Sequence, residues 1–155
     1  ELFPQVTKLE ERIESSGGDP RYINRLAVLY ARYGLYDRAL AGFGELLARQ
    51  NDFYPALVNM GNIHYLKEQP KEALEYYEQA LEIRPDSEAV LLGLAQAHND
   101  LENYGTSTDY FARLRDTNPQ LADEYSYLGL GSDSKARASQ AAAEGKVEWE
   151  DDEEE

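Results

Sequence analysis

Apolar residues recur along this chain at helical spacing, and the pattern itself recurs every 34 residues. Ile23, Leu57 and Leu91 share one position of the period, and Leu26, Met60 and Leu94 lie three residues later. Ala27, Gly61 and Ala95 follow at once, then Tyr30, His64 and His98 three residues on. Offsets of three, four and seven mark one face of a helix. The small residue in the middle lets another helix approach closely. The second half of each period repeats the logic with Ala39, Ala73 and Ser107, then Phe43, Tyr77 and Phe111, then Leu46, Ala80 and Leu114. Between the halves stand Gly34-Leu35-Tyr36-Asp37, Glu68-Gln69-Pro70-Lys71 and Glu102-Asn103-Tyr104-Gly105, which read as turns. Pro70 suits the first turn of a second helix, and Pro85 and Pro119 stop second helices. The pattern therefore predicts three helical hairpins, 20–53, 54–87 and 88–121. None of them buries its apolar faces alone, so the period predicts a stack.

The flanks carry weaker helical patterns. Leu2, Val6, Leu9 and Ile13 form an apolar stripe on a helix starting near Pro4 and ending at Ser15-Ser16-Gly17-Gly18. Residues 1–19 are expected to be an N-terminal cap or part of a further repeat. Leu121, Tyr125 and Leu128 predict a helix broken at Gly129–Gly131, and the alanine-rich stretch 134–143 predicts another. Residues 122–145 are expected to cover the exposed end of the stack, as solenoid ends require. Residues 146–155 are an acidic tail. The chain begins at Glu1 rather than methionine, which is expected of a processed or excised product.

Charge and composition narrow the function. With 30 acidic and 15 basic residues the net charge is −15, against a nucleic-acid binder or a protein that docks on anionic lipid. No apolar run approaches the roughly 20 residues that span a bilayer. There is no cysteine, hence no disulfide, thiolate metal site or cysteine nucleophile. The tail sequence EWEDDEEE holds 7 of the acids and no base, a pattern that ordinarily marks a solvated end.

The period, with its small, aromatic and apolar positions, resembles the tetratricopeptide repeat family. The resemblance covers 20–121 and is best in 54–87, where Leu57, Gly61, Ala73, Tyr77, Ala80 and Pro85 all match. The first unit adds Tyr30, Gly34, Tyr36, Ala39 and Phe43. Asn51 replaces the terminal proline, His64 and His98 replace a tyrosine, and Leu46 and Leu114 replace an alanine. The resemblance implies an all-α, right-handed superhelical solenoid of antiparallel helix pairs with flanking capping helices. It also implies a protein-interaction module, a scaffold or adaptor, with a concave groove lined by the first helix of each pair.

On that face stand Arg21, Asn24 and Val28 in the first unit, Val58, Asn59, Asn62 and Tyr65 in the second, and Leu92, Gln96 and Asn99 in the third. The groove positions sit roughly 130° from the core stripe at about 100° per residue. Side-chain amides there suit the donors and acceptors of a peptide backbone. Truncating Val58, Asn62, Tyr65 or Leu92 is expected to cost under ~1 kcal/mol of stability each. The carboxylate clamp of chaperone-binding relatives is not carried over: Val28 stands where its first asparagine should be, and Ala89 and Gly93 where its lysine and arginine should be.

No catalytic, metal or cofactor site is expected. His64 and His98 occupy the position of Tyr30 on the core stripe and read as packing. No Ser/His/Asp arrangement is visible, and Gly42-Phe43-Gly44 lies inside a helix without the lysine of a phosphate loop. The partner is expected to be a protein or peptide, bound in the groove as a helix or an extended segment. The alternatives are a second copy of the chain or, in another class, a small-molecule-binding or enzyme-accessory role. Val147 and Trp149, apolar among acids, are candidate anchors by which the tail docks on a repeat surface, with Arg21, Arg25 and Arg32 placed to attract it.

Overall fold

Asp19 opens the first hairpin: its carboxylate accepts the Arg21 N–H at 2.9 Å, and Pro20 follows at a position where no backbone donor is needed. Helix α2 (Pro20–Arg32) results, preceded by α1 (Leu2–Ser15). The computed structural model describes residues 1–151, apart from the side chains of Lys135 and Ala136. Within them the helices continue as α3 (Tyr36–Arg49), α4 (Tyr54–Leu66), α5 (Pro70–Ile83), α6 (Glu88–Asp100), α7 (Tyr104–Thr117), α8 (Pro119–Glu124) and α9 (Lys135–Ala143). No strand occurs among the described residues. Consecutive helices pack as pairs, and α2, α4 and α6 also touch their like neighbours along the stack. These three first helices line one side of the solenoid.

Each hairpin turns on the same device. Gly34, Glu68 and Glu102, one period apart, have φ of 74°, 60° and 62°. In each case the next N–H reaches back across the helix end, Leu35 to the Tyr30 carbonyl at 2.9 Å, Gln69 to His64 at 2.8 Å and Asn103 to His98 at 2.8 Å. This is the glycine-favouring helix stop, built twice with glutamate.

The core follows the period. Phe43, Tyr77 and Leu114 are fully buried in successive units. Tyr77 is held between α4 and α6 at two glycines: a Cβ at Gly61 would come within 2.6 Å of its ring, and one at Gly93 within 2.4 Å. The histidines stack on tyrosines of the following helix, His64 on Tyr76 with centroids 5.4 Å apart and His98 on Tyr110 at 5.8 Å. His64 Nδ1 is also 2.8 Å from Gln69 Oε1.

The C-terminal region departs from expectation. The helix after the third pair ends at Glu124, and Tyr125 and Leu128 reach the core from the cap and a following turn of 3₁₀ helix (Ser126–Gly129). That segment packs on α7 and closes the stack. Helix α9 does something else. It folds back across α6 and α4, on the inner side, where Ala138 and Ala141 lie against the cluster that holds Leu91, Leu92 and Ala95. Expected to shield the end of the stack, it instead covers the groove face. Its alanine stripe allows the close approach. No described helix is long and apolar enough to cross a membrane.

Candidate functional site

The inner face of α2, α4 and α6 is occupied by the chain itself. After α9, residues 146–151 run along it in the direction from the third pair to the first. Their carbonyls meet a row of amides. Gln96 Nε2 donates to the Lys146 carbonyl at 3.0 Å, and Asn62 Nδ2 to that of Glu148 at 2.7 Å. Asn59 Nδ2 and Asn24 Nδ2 both donate to the Glu150 carbonyl at 2.9 Å. Asn59 Oδ1 accepts the Glu150 N–H at 2.9 Å, so one side chain grips both backbone groups of one residue. Asn59 also donates to Asn24 Oδ1 at 3.1 Å, which ties the two amides together.

Helical register explains the row. Asn62 and Gln96 are one period apart and hold carbonyls two residues apart. The equivalent position in the first unit is Val28, which has no donor. Asn59 and Asn24 supply the missing grip from neighbouring turns. Below the row, the Tyr77 hydroxyl donates to Asn62 Oδ1 at 2.6 Å and turns the Asn62 NH₂ outward.

An extended chain puts alternate side chains on one face. Val147 is buried with Tyr54, Val58 and Tyr65, and Trp149 lies between that cluster and the one around Val28 and Ala31. Asp151 approaches Arg25, with Nε and Oδ1 3.6 Å apart, in a cleft that Lys8, Arg12 and Arg32 also line. The intervening residues lie at the edge. Glu150 Oε1 is 3.4 Å from the Tyr54 hydroxyl, which also contacts Ser87, while the Arg84 guanidinium sits 4.3 Å above the Tyr54 ring. Burial pushes the Tyr54 phenol up to about 12. Glu148 is held above the usual carboxylate range, first by burial and then by Glu124 and Glu88, with Arg32 opposing.

The groove residues singled out by sequence thus fall into three groups. Asn24, Asn59, Asn62 and Gln96 hold the tail backbone, and Val28 and Val58 lie in the clusters its side chains enter. Tyr65, Leu92 and Asn99 lie toward α9, Tyr65 donating to the Ala138 carbonyl at 3.4 Å and Asn99 Oδ1 accepting from Ser134. The Arg21 guanidinium pairs with Asp19 at 2.8 Å at the start of its own helix, and Arg25, one turn on, approaches Asp151. The expectation that truncating Val58, Asn62, Tyr65 or Leu92 costs under ~1 kcal/mol each is at odds with their burial, since each is at most 1% exposed. Tyr54, Tyr77 and Lys8 were not read as site residues. The clue was α6 itself, where 89–97 reads AVLLGLAQA, apolar on every side and so requiring cover on both. Residues 152–155 of the tail lie outside the described residues.

Residues 54–87, the second unit, match the family model of the tetratricopeptide repeat. The second unit is a tetratricopeptide repeat, and the helix pairs around it repeat its architecture. The fold of the chain is shared with solved structures at low sequence identity. MamA (41-end) from Desulfovibrio magneticus RS-1 aligns with a TM-score of 0.71 at 18% identity, over 93% of this chain and 83% of that one. A tetratricopeptide repeat protein from Parabacteroides merdae ATCC 43184 aligns at 0.72 and 20% identity, over 94% of this chain and 59% of that one. MamA MSR-1 C2 aligns at 0.62 and 20%, over 90% and 84%. At such identities the likeness is one of fold. No curated protein matches the sequence significantly.

Proposed function

We propose that this protein is a protein-interaction scaffold whose inner groove binds an extended peptide segment by its backbone. The observation that carries this reading is the amide row of Asn24, Asn59, Asn62 and Gln96, which meets the carbonyls of an extended segment at 2.7–3.0 Å. A helical ligand spends its backbone groups internally and has none to offer such a row. An extended ligand offers one N–H and one carbonyl per residue, with side chains left to set specificity. Affinity near micromolar is expected, about −8 kcal/mol, once the ordering of a flexible ligand is subtracted.

Selection of displayed random peptides on the full chain tests this. Peptides recovered on the Trp149→Ala chain, whose tail has lost its anchor, should lose at least tenfold in affinity when Asn59→Ala or Asn62→Ala is added at unchanged helicity. Recovery of peptides indifferent to both substitutions would place binding on another surface.

A further inference from the structure

A groove built to hold an extended segment, and filled by one belonging to the same chain, carries its own description of a ligand. Three features of the bound segment are reciprocated by the groove. The side chain of Val147 enters the cluster of Tyr54, Val58 and Tyr65. Two residues on, Trp149 packs against two apolar clusters, one drawn from the first and second units and one from the second and third. Two residues further, Asp151 meets Arg25 in a cleft lined by Lys8, Arg12 and Arg32. Four of the 15 basic residues of a chain of net charge −15 converge there. A basic pocket on so acidic a protein selects for carboxylates by charge.

The fit is imperfect at one point. Glu148 shares a cleft with Glu88 on α6, and its carboxylate is also repelled by Glu124. A segment with an uncharged residue at this place escapes that repulsion while keeping the Asn62 bond, which goes to the backbone. The tail therefore has the anchors of a ligand and a built-in weakness.

Resting on the groove reading above, we propose that Lys146–Asp151 is a tethered self-ligand that closes the groove. Its external competitor is an extended acidic segment of a partner protein, with an apolar residue, an aromatic residue two positions on, and a carboxylate two positions beyond. Between the apolar and aromatic residues the partner carries an uncharged side chain. The tether sets the strength of the competition. A short flexible connection gives an effective concentration of about 1 mM. For a free peptide of Kd about 10 μM, the closed form then outnumbers the open by about 100 to 1, and apparent affinity falls by about the same factor.

The test uses a fluorescein-labelled peptide KVEWED and the full chain in three forms, with binding read by anisotropy and folding by circular dichroism. The Trp149→Ala variant, opened at its anchor, should bind the peptide at least tenfold more tightly than the wild type. The Glu148→Gln variant, closed more firmly, should bind it severalfold more weakly. Trp149 is the sole tryptophan of the chain, so adding unlabelled KVEFED to the wild type should shift its emission toward that of a solvent-exposed indole. Equal affinity of the wild type and Trp149→Ala would overturn the self-ligand, while the selection experiment on Asn59 would still stand or fall separately. Failure of the peptide to bind any form would overturn the ligand chemistry. A wild-type mass of two chains by light scattering, reverting to one in Trp149→Ala, would move the tail to a neighbour's groove and overturn intramolecular closure.

Discussion

The hydroxyl of Tyr77 donates to Asn62 Oδ1 at 2.6 Å, joining a fully buried aromatic ring of the second unit to the amide that holds Glu148. The residue that fills the core thus also orients the groove. Tyr77→Phe should retain the packing but cost about 1–3 kcal/mol of stability, because a buried amide oxygen loses its donor. It should also weaken the hold on the tail, since Asn62 is then free to rotate. Denaturant melts and the emission maximum of Trp149 measure the two effects. A variant with unchanged stability and emission would show the bond to be idle.

Glu68 and Glu102 adopt the left-handed backbone that Gly34 adopts in the first unit. That conformation costs a residue with a Cβ about 1–2 kcal/mol. Glu68→Gly and Glu102→Gly should therefore each raise stability by about 1 kcal/mol, less the larger entropy of an unfolded glycine. Gly34→Glu should lower it by a similar amount. Midpoints of urea unfolding at constant slope decide.

Asp100 ends α6, and burial, reinforced by Glu68, pushes its carboxyl up to about 6 from 3.8. A raised folded-state value means that the fold favours the protonated form. The penalty is absent below about pH 4 and develops as pH rises through 6. Asp100→Asn should stabilise the protein by on the order of 1 kcal/mol at pH 8, discounted for the half-exposed position, and have no effect near pH 4. A stabilisation independent of pH would mean that charge is not its cause.

A methyl group at position 93 would lie 2.4 Å from the Tyr77 ring, which cannot retreat because Gly61 bounds it on the other helix. Gly93→Ala should cost about 1–3 kcal/mol by overpacking, despite the better helix propensity of alanine. The same substitution at Gly44 meets nothing within 4 Å and should stabilise α3. Reversal of that order in thermal melts would refute the packing argument.

The helix pairs were legible because burial in a hairpin stack imposes one residue size at each position of the period. Ala27, Gly61 and Ala95 had to be small, and Phe43, Tyr77 and Phe111 large, whatever their neighbours. The groove amides were legible by the same rule, since 100° per residue assigns Asn62 and Gln96 to one side. The occupant of the groove was harder to read. Its hydrogen bonds come from the backbone at Lys146, Glu148 and Glu150, which every sequence possesses equally. Only Val147 and Trp149 announce an inward face, and two residues are too few for a period. The reach of α9 was hidden for a related reason: an alanine stripe packs against any smooth surface, so Ala138 and Ala141 do not say which.

The spacing of Asn62 and Gln96 makes the groove a ruler. One step of the solenoid, 34 residues of protein, measures off two residues of the bound tail. Two extended residues span about 6.6 Å. A ligand shifted by one residue presents its carbonyls to the wrong side, so shifts of two are the only ones the row can accept. On the proposed reading, the number of repeats fixes how long a sequence is read, and a fourth unit spliced after the third would lengthen the message by two residues without altering the part already read.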